Sequence, residues 1–412
     1  MSTKSGELTA WRSKNCSLRF FPKRRLRWWG LSPKGRNAVT LGELQFGKTQ
    51  LSEDFYRLWA LACWVLYKMT SSAIPTPAEQ LIPGRQNLFK ALLFVGALLT
   101  SFYLAQGGVD LLHRVFSFSN AWARPAEIAA RWTWVLTLAT ANCFIILGMA
   151  VLGHEAVHRV LFKGSIWNEL WGGILSALAL IPFYINRQIH LTHHSYAHQP
   201  GADPENAMHD HAFWYAMTVG SFIGIAIHYR TFVFNLLTRL FDRRFTGRVL
   251  KDAVFVVAAG FVYIFLVPHM GVSARYSTIP TALLFPVVFA FRAISDHYGV
   301  PAIVRPAVGV APVYDVDAEA WHRNRDARQK EVSGWVVLTS PLLEWVWSHV
   351  NYHEVHHKYP YLSHRYLKTT FEATRHQVPY LVVNGYLRSF LGLRKRSYYG
   401  SRQDVLQFSS NK

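Results

Sequence analysis

Three short segments carry eight of the chain's 19 histidines. They read HEAVH, HLTHH and HEVHH, and we call them the first, second and third histidine boxes. Within each box the histidines are mostly three or four residues apart, so on a helix their imidazoles share one face. Imidazole is a ligand for zinc, copper, iron and nickel, and eight nitrogens are too many for one ion. The pattern predicts a two-metal site with the candidate ligands His154, His158, His190, His193, His194, His353, His356 and His357.

The first box alone also matches HExxH, a zinc peptidase pattern in which the glutamate is the base. Because two more boxes follow, we interpret Glu155 instead as a carboxylate partner that fixes an imidazole. A non-enzyme alternative is a histidine-rich membrane metal carrier, which would place its ligands within spanning helices near the middle of the bilayer. The boxes lie at or beyond the ends of apolar segments, which favours an enzyme.

The composition places the boxes in a membrane protein. Hydrophobic residues make up 51% of the chain and charged residues 17%, whereas soluble domains contain about 25% charged residues. The net charge of +20 would also fit a nucleic-acid-binding protein. Beside long apolar segments it predicts contact with anionic lipids on the cytoplasmic side, and no nucleic acid.

Four apolar segments are candidates to cross a bilayer, which takes about 20 residues. They are residues 89–106, with Lys90 expected to extend from the edge toward the headgroups, and residues 132–152, 253–270 and 279–294. Segments 55–69 and 213–234 carry charge, and we predict that they lie in the interface. Segment 170–185 is short, and we predict that it either dips into the membrane and returns or lies under the headgroups. If segment 170–185 crossed, the first two boxes would lie on opposite sides.

The predicted fold is an all-α integral membrane protein. It has about four transmembrane helices in two hairpins, interfacial helices and a cytosolic cap that carries the boxes. We divide the chain into a basic cytosolic arm at 1–54, an interfacial helix and linker at 55–84, the membrane and histidine-box domain at 85–376, and a cytosolic tail at 377–412. For the basic arm, disorder and contact with anionic lipid are both open.

The boxes and their surroundings resemble the membrane fatty acid desaturase superfamily. The likeness rests on residues 153–158, on the second box followed by Asp203-Pro-Glu205, and on the third box within residues 351–360. It covers roughly residues 85–370. It implies that the box histidines hold two non-haem irons (Fe2+/Fe3+), which use O2 against an unactivated C–H bond, so that the cytosolic cap is a diiron cap.

The superfamily also has a histidine between the second and third boxes. His297 is the best match here, and His349 is the alternative. Further partners of the ligands are predicted at Glu155, Asp203, Asn351 and Glu354. The histidines without box spacing are expected at the surface or behind the ligands; these are His198, His209, His211, His322, His364 and His376.

The resemblance implies a membrane-bound, O2-dependent oxidoreductase, and our first hypothesis is a fatty acyl desaturase acting on a lipid acyl chain. The alternative is a hydroxylase or ketolase acting on a carotenoid, a sphingoid base or another lipid. The membrane would be a bacterial inner membrane or the endoplasmic reticulum, with the boxes facing the cytoplasm.

The electrons for this reaction are expected from a separate protein, such as ferredoxin or a b-type cytochrome. The sequence has no GxGxxG motif in a strand–helix context and no cysteine cluster that would hold a dinucleotide or an iron–sulfur centre. Basic residues that could hold an anionic headgroup, carrier or donor are Arg187, Arg323, Arg325, Arg328 and Lys358.

Overall fold

The computed structural model describes residues 74–76, 78–117, 124–199, 201–206, 212–239, 241–242, 246–300 and 332–394. The basic arm and the interfacial helix expected at 55–69 lie outside the described residues. The same is true of Arg323, Arg325, Arg328, His209, His211 and His322.

Two long helices form the first hairpin: α1 is Gly84–Ser117 and α2 is Arg124–Val157. Each contains one predicted span and has 34 residues. At 1.5 Å per residue this is about 51 Å, longer than a hydrocarbon core of about 30 Å, so both helices extend beyond the membrane. They pack closely at Gly108, where a β-carbon would collide with the ring of Trp134. α2 ends at the first box.

Lys90 of α1 lies inside the protein, not at the membrane surface as the sequence suggested. Its ammonium donates hydrogen bonds to the Trp345 carbonyl and to Oγ of Ser348, and it lies 4.8 Å from the centroid of the Trp345 ring. A buried ammonium needs such acceptors, because burial removes its water. Lys90 thereby connects α1 to the segment that precedes the third box.

Helices α3 (Ser165–Leu178) and α4 (Phe183–Tyr196) form a pair bent by 95°. α3 packs closely on α2, because glycines take the contact positions: a β-carbon at Gly153 would meet Ser176, and one at Gly172 would meet Ala156. The first box lies before this pair and the second box lies within α4. As these boxes contact each other, the pair begins and ends on one side of the membrane, which agrees with the course predicted for segment 170–185.

The two helix ends at this bend are stabilised by helix α6, Thr246–His269. Asp252 accepts hydrogen bonds from the backbone N–H groups of Tyr184 and Ile185, at 3.0 and 3.1 Å. The Tyr263 hydroxyl donates to the carbonyl of Leu178 at 2.5 Å. Free helix ends inside a membrane have no water to bond, so these side chains fix the position of α4 and of the second box.

Five helices in the described part of the chain are long and apolar enough to cross a membrane. Besides α1, α2 and α6 they are α5, Phe213–Arg239, and the segment Ala274–His297, which contains α7 (Thr278–His297). The sequence predicted about four spans, with segment 213–234 in the interface. By length and composition alone, α5 is therefore an additional candidate span, although it has the lowest mean hydropathy of the five.

The positions of the helix ends nevertheless favour an interfacial course for α5. His193 of α4 and His297 at the end of α7 lie with ring centroids 4.6 Å apart, so an even number of crossings separates them. α6 and α7 supply two. α5 also packs on elements at the box side: Phe213 contacts Tyr298, with ring centroids 5.7 Å apart, and His228 lies 3.2 Å from the Asn186 side chain of α4.

The described chain after residue 332 forms the cap. It consists of β1 (Trp335–Leu338), α8 (Pro341–Val346), α9 (His353–Lys358), a 3-10 turn at His364–Tyr366, α10 (Leu367–Thr374), β2 (Leu381–Asn384) and α11 (Tyr386–Leu393). The two strands pair in parallel, with Trp335 opposite Leu381. The sequence analysis missed them because four residues are too few to show alternation.

The short sheet holds the segment that leads into the third box. The backbone N–H of Val337 donates to the carbonyl of Asn351 at 2.8 Å, and Val336 forms a bridge with Tyr352. Trp335 and Trp347 are fully buried in a core that continues into α1 and α2. The described residues are otherwise mainly helical, and the predicted class, an all-α membrane protein, is confirmed.

Candidate metal centre

Four parts of the chain bring the candidate ligands to one place. The first box lies at the end of α2, the second box in α4, His297 at the end of α7, and the third box in α9. All nine histidines are buried except the half-buried His154. Because the boxes are largely helical, residues three and four apart point in similar directions, as their spacing predicts.

Five of these histidines form a first group, in which the ligand atoms all lie within 4.8 Å of one another: His154, His158, His190, His194 and His356. Nε2 of His190 lies 2.8 Å from Nε2 of His154 and 2.8 Å from Nε2 of His194. Nε2 of His194 and Nε2 of His356 are 3.0 Å apart. Nitrogens from three elements thus converge on one small volume.

The other four histidines form a second group beside the first. The ligand atoms of His193, His297 and His357 lie within 4.8 Å of one another. Nε2 of His353 adjoins them, 2.7 Å from Nε2 of His297 and 3.1 Å from Nε2 of His357. The rings of His194 and His357 stack with centroids 4.1 Å apart, so the cluster offers two neighbouring nitrogen-rich positions.

The nitrogen spacing fits metal ions better than hydrogen bonds between imidazoles. An imidazole Nε2 carries either a proton or a lone pair, so Nε2 of His190 cannot bond well to both His154 and His194. In zinc sites, imidazole nitrogens lie about 2.1 Å from the ion. Two such nitrogens with a nitrogen–ion–nitrogen angle of about 90° would lie about 3 Å from each other. The observed separations of 2.7–3.1 Å agree with this value.

The third box is kept in the protonation state that a metal requires. Burial lowers the pKa of His353 and of His357 well below the usual value. The neighbouring guanidinium of Arg292 lowers the pKa of His353 further. Metal-binding imidazoles must be deprotonated, so these two side chains are suited to bind an ion at neutral pH.

Two carboxylates hold the second box from outside the cluster. Oδ2 of Asp203 lies 2.8 Å from Nδ1 of His193, and Oε1 of Glu205 lies 3.3 Å from Nδ1 of His190. Metal-binding histidines usually donate their other N–H to such a group, which fixes the ring. Asp203 also accepts from the backbone N–H of His198 at 2.7 Å, so the loop after α4 is held by the same carboxylate.

A comparison with family models decides the relationship of this chain to known proteins. The model described as fatty acid desaturase matches residues 129–385, which is more than half of the chain and includes all nine clustered histidines. The chain belongs to the fatty acid desaturase family. The resemblance predicted from the boxes is thereby confirmed. A search of curated proteins found no match.

In this fatty acid desaturase family member, a backbone carbonyl contacts His297. The carbonyl oxygen of Ser333 lies 3.2 Å from Nδ1 of His297 and 3.0 Å from Nε2 of His198. Oε2 of Glu354 accepts from the backbone N–H of Ser333 at 2.8 Å. We had predicted that Glu354 contacts an imidazole. The structure places it one step further out, where it orients the segment that contacts His297.

Two other residues that we predicted as partners of the candidate ligands also differ from expectation. Oε2 of Glu155 accepts from the backbone N–H of His364 at 2.9 Å, so it fixes a loop of the cap instead of a box imidazole. The Asn351 side chain donates to the Val337 carbonyl at 2.9 Å, within the strand contact described above. Both residues are buried, and both act through the backbone.

The remaining histidines take several positions around the desaturase cluster. His198 is buried beside His193, with ring centroids 5.8 Å apart. His349, the alternative ninth ligand, lies apart from both groups; its Nδ1 is 3.8 Å from Glu344 and its ring stacks on His364. His364 is bonded to Asn87 of α1, and His376 is exposed.

The basic residues expected to hold an anion divide into two cases. Lys358 is buried, and its ammonium lies 2.8 Å from Oε1 of Glu354. It is therefore an internal ion-pair partner and not a surface residue for a headgroup. Arg187 is half-buried in α4 and remains a candidate.

The sequence reasoning missed two features of the site. Glu205 follows Asp203 by two residues, and the motif Asp-Pro-Glu was itself the available signal. The Ser333 carbonyl could not be inferred, because any residue supplies a carbonyl and only the fold brings residue 333 to His297.

Proposed function

We propose that this protein is a membrane-bound diiron desaturase that introduces a double bond into a lipid acyl chain, using O2 and electrons from a separate protein. The observation that carries the proposal is the convergence of nine histidines, all buried except the half-buried His154, into two adjacent groups. It is combined with membership of the fatty acid desaturase family and with long apolar helices.

In this proposal each group of histidines holds one iron. The first iron would be bound from His154, His158, His190, His194 and His356, and the second from His193, His297, His353 and His357. Zinc would be an unsuitable occupant for the reaction, because zinc has no redox chemistry. Imidazole ligands suit iron, and the contacts of His297 with the second group favour it over His349 as the ninth ligand.

Bound iron supplies the oxidising power to remove hydrogen from a saturated chain with O2. Overall, the chain loses two hydrogen atoms, and these with two donated electrons and two protons reduce O2 to two molecules of water. The protein's own residues orient the site. Asp203 and Glu205 accept from His193 and His190, and the Ser333 carbonyl accepts from His297. Burial of the cluster keeps bulk water away from the reacting chain.

The proposed surroundings of the enzyme follow from charge and topology. The substrate is an acyl chain of a membrane lipid or thioester. The donor is a soluble or membrane-bound electron carrier such as ferredoxin or a b-type cytochrome. The excess of Lys and Arg outside the apolar segments favours a cytoplasmic location of the boxes, in a bacterial inner membrane or the endoplasmic reticulum.

The decisive test is mass spectrometry of total lipids from cells that express the full chain. His356→Ala removes one member of the first group, and His376→Ala is the matched control at an exposed histidine of the cap. We expect a new lipid two hydrogens lighter with the wild type and with the control, and none with His356→Ala. Identical lipid profiles for all three proteins, with good expression and a supplied donor, would contradict the proposal.

The same spectra distinguish the alternative reaction of this superfamily. A lipid heavier by one oxygen, again absent in His356→Ala, would assign the protein as a hydroxylase. Unchanged acyl lipids together with an altered carotenoid in a carotenoid-producing host would move the substrate to that class.

A further inference from the structure

A set of buried polar groups lies behind the third box, on the side of His353 away from the other imidazoles. Within the described part of the chain, one or more polar atoms of each of these side chains have no hydrogen-bond partner: Arg292, Asp296, Trp347, His353, Tyr386 and Ser389. Buried polar groups are normally hydrogen-bonded, and a group left without a partner destabilises the fold. Four of these side chains adjoin one another, namely Arg292, Asp296, His353 and Tyr386, so their unbonded atoms require a shared polar partner.

The geometry at Nδ1 of His353 shows how such a partner would be bonded. Its Nε2 faces His297 and His357, so the proton of the neutral ring belongs on Nδ1. The nearest carboxylate oxygen to Nδ1 is Oδ2 of Asp296, at 3.8 Å. This is too long for a direct hydrogen bond, and a polar pair at this separation is commonly bridged by water. His193, in contrast, has its carboxylate at 2.8 Å.

The charges of the pocket exclude ionic occupants. Arg292 lies one helical turn from Asp296, with Nη2 2.6 Å from Oδ2, so the pair is neutral. A cation would be repelled by the guanidinium, and an anion would meet a carboxylate that already compensates Arg292. Within this ion pair, Nε of Arg292 has no hydrogen-bond acceptor and Oδ1 of Asp296 has no donor. Water can both donate and accept, and buried water typically makes about three hydrogen bonds.

Tyr386 of α11 lies beside Arg292. It follows Gly385, whose φ of 88° turns the chain from β2 into α11 and whose N–H donates to the Leu338 carbonyl at 2.7 Å. A side chain at that φ would be strained. The Tyr386 ring packs edge-on against Trp347, with centroids 5.0 Å apart. Its hydroxyl points toward Arg292 without a well-formed hydrogen bond.

We propose that water buried between Arg292, Asp296 and Tyr386 bridges Asp296 to Nδ1 of His353, and that Arg292 and Tyr386 are positioning residues for this ligand. This water would accept the Nδ1 proton of His353, as Asp203 directly accepts the Nδ1 proton of His193. This inference rests on the proposed function, because it assumes that His353 binds metal.

The test is metal retention by the purified full-length protein. Tyr386→Phe removes only the hydroxyl, Arg292→Met removes the N–H groups at similar length, and Arg292→Lys restores a charged donor. Iron per protein is measured after equilibration with a series of chelator concentrations. Loss of a group behind a metal-binding histidine typically weakens binding by about 10–100-fold. We expect at least a ten-fold shift for Tyr386→Phe and Arg292→Met, with partial recovery in Arg292→Lys.

Tyr366→Phe is the matched control, since Tyr366 is a tyrosine of the cap whose hydroxyl accepts from the backbone N–H of Leu81 at 2.8 Å. It is expected to lower the melting temperature without shifting the chelator curve. The inference fails if Tyr386→Phe and Arg292→Met retain iron like the wild type, while their thermal unfolding curves show that both variants are folded. It also fails if a high-resolution structure has no water beside Nδ1 of His353. Failure of the wild type to bind iron would instead contradict the proposed function.

Discussion

At the scale of single residues, Asp203 has the strongest contact with a candidate ligand from outside the cluster. Burial alone would raise its pKa, but the neighbouring His193 lowers the pKa below its usual value, so the carboxylate is ionised at neutral pH. A charged acceptor at 2.8 Å from Nδ1 holds the imidazole with its Nε2 directed into the cluster.

Replacing Asp203 with Asn is therefore expected to weaken metal binding about 10–100-fold. Glu205→Gln should have a smaller effect, because its oxygen is 3.3 Å from Nδ1 of His190. Chelator competition with both variants measures the difference. Equal, unshifted curves for the two variants would mean that these carboxylates only stabilise the loop after α4.

The choice between His297 and His349 is a second prediction at this scale. His297→Ala is expected to lose about one of the two irons, because its Nε2 lies 2.7 Å from Nε2 of His353. His349→Asn should keep both. Asn is the suitable replacement there because His349 has a φ of 52°, a conformation that Asn tolerates. The iron content per protein of the two variants distinguishes these histidines. Loss of one iron in His349→Asn, with both irons kept in His297→Ala, would make His349 the ligand.

Residue types at fixed spacing were sufficient to find the clustered histidines, because a helix converts a spacing of three or four into a shared face. They were not sufficient for the residues behind them. Glu155 lies between two candidate ligands in sequence, yet it bonds the backbone of His364. The direction of a side chain between two ligands depends on which element packs against that face, and this is a tertiary property.

At the scale of elements, the bend between α3 and α4 depends on Asp252 of α6. Asp252→Ala leaves the N–H groups of Tyr184 and Ile185 without their acceptor, and a buried donor without a partner costs about 1–3 kcal/mol. We expect a lower melting temperature in detergent and faster loss of metal, since α4 carries the second box. Lys251→Ala is the control, because its ion pair with Glu169 is exposed and worth about 0–1 kcal/mol. Equal melting temperatures would contradict the capping role.

His364 connects α1 to the cap and introduces a pH dependence. Burial lowers its pKa to about 3, with a further contribution from Lys90, whereas an unfolded histidine has a pKa of about 6.5. As the pH falls below about 6.5, only the unfolded chain takes up this proton. Folding stability then decreases by up to about 1.4 kcal/mol per pH unit, and above that pH the contribution is constant.

The variant His364→Gln keeps a donor for Asn87 and removes the titration. Between pH 7 and pH 5.5 its melting temperature should fall less steeply than that of the wild type, while the exposed control His376→Gln should follow the wild type. Parallel curves for all three proteins would mean that His364 does not contribute to acid sensitivity.

The sequence predicted the long apolar elements and the bent pair more easily than the cap. Twenty apolar residues have few structural alternatives in a membrane, and segment 170–185 was constrained by the need to bring two boxes together. The strands β1 and β2 are 43 residues apart in sequence, counted from Leu338 to Leu381. Each is too short for an alternation of apolar and polar residues to be detected. Their pairing is set by the surrounding packing.

At the scale of the whole molecule, the shared site constrains the topology. All boxes must lie on one side, so the chain between the second box and His297 crosses an even number of times. α5 is long enough to span, but if α5, α6 and α7 all crossed, His193 and His297 would be separated by the bilayer. An interfacial α5 also agrees with the contact between His228 in its middle and Asn186 in the first turn of α4.

Labelling with a membrane-impermeant thiol reagent tests this topology. In a chain with Cys16, Cys63 and Cys143 replaced by Ser, single cysteines are placed at Phe241, Arg275 and Gln377. Phe241 follows α5 and is 91% exposed, Arg275 lies between α6 and α7, and Gln377 lies in the cap. We expect Phe241→Cys and Gln377→Cys to react from one side and Arg275→Cys from the other. If Phe241→Cys reacted from the side opposite Gln377→Cys, α5 would cross the membrane. Either α6 or α7 would then have to remain on one side, because the histidines of α4 and α7 lie in one cluster.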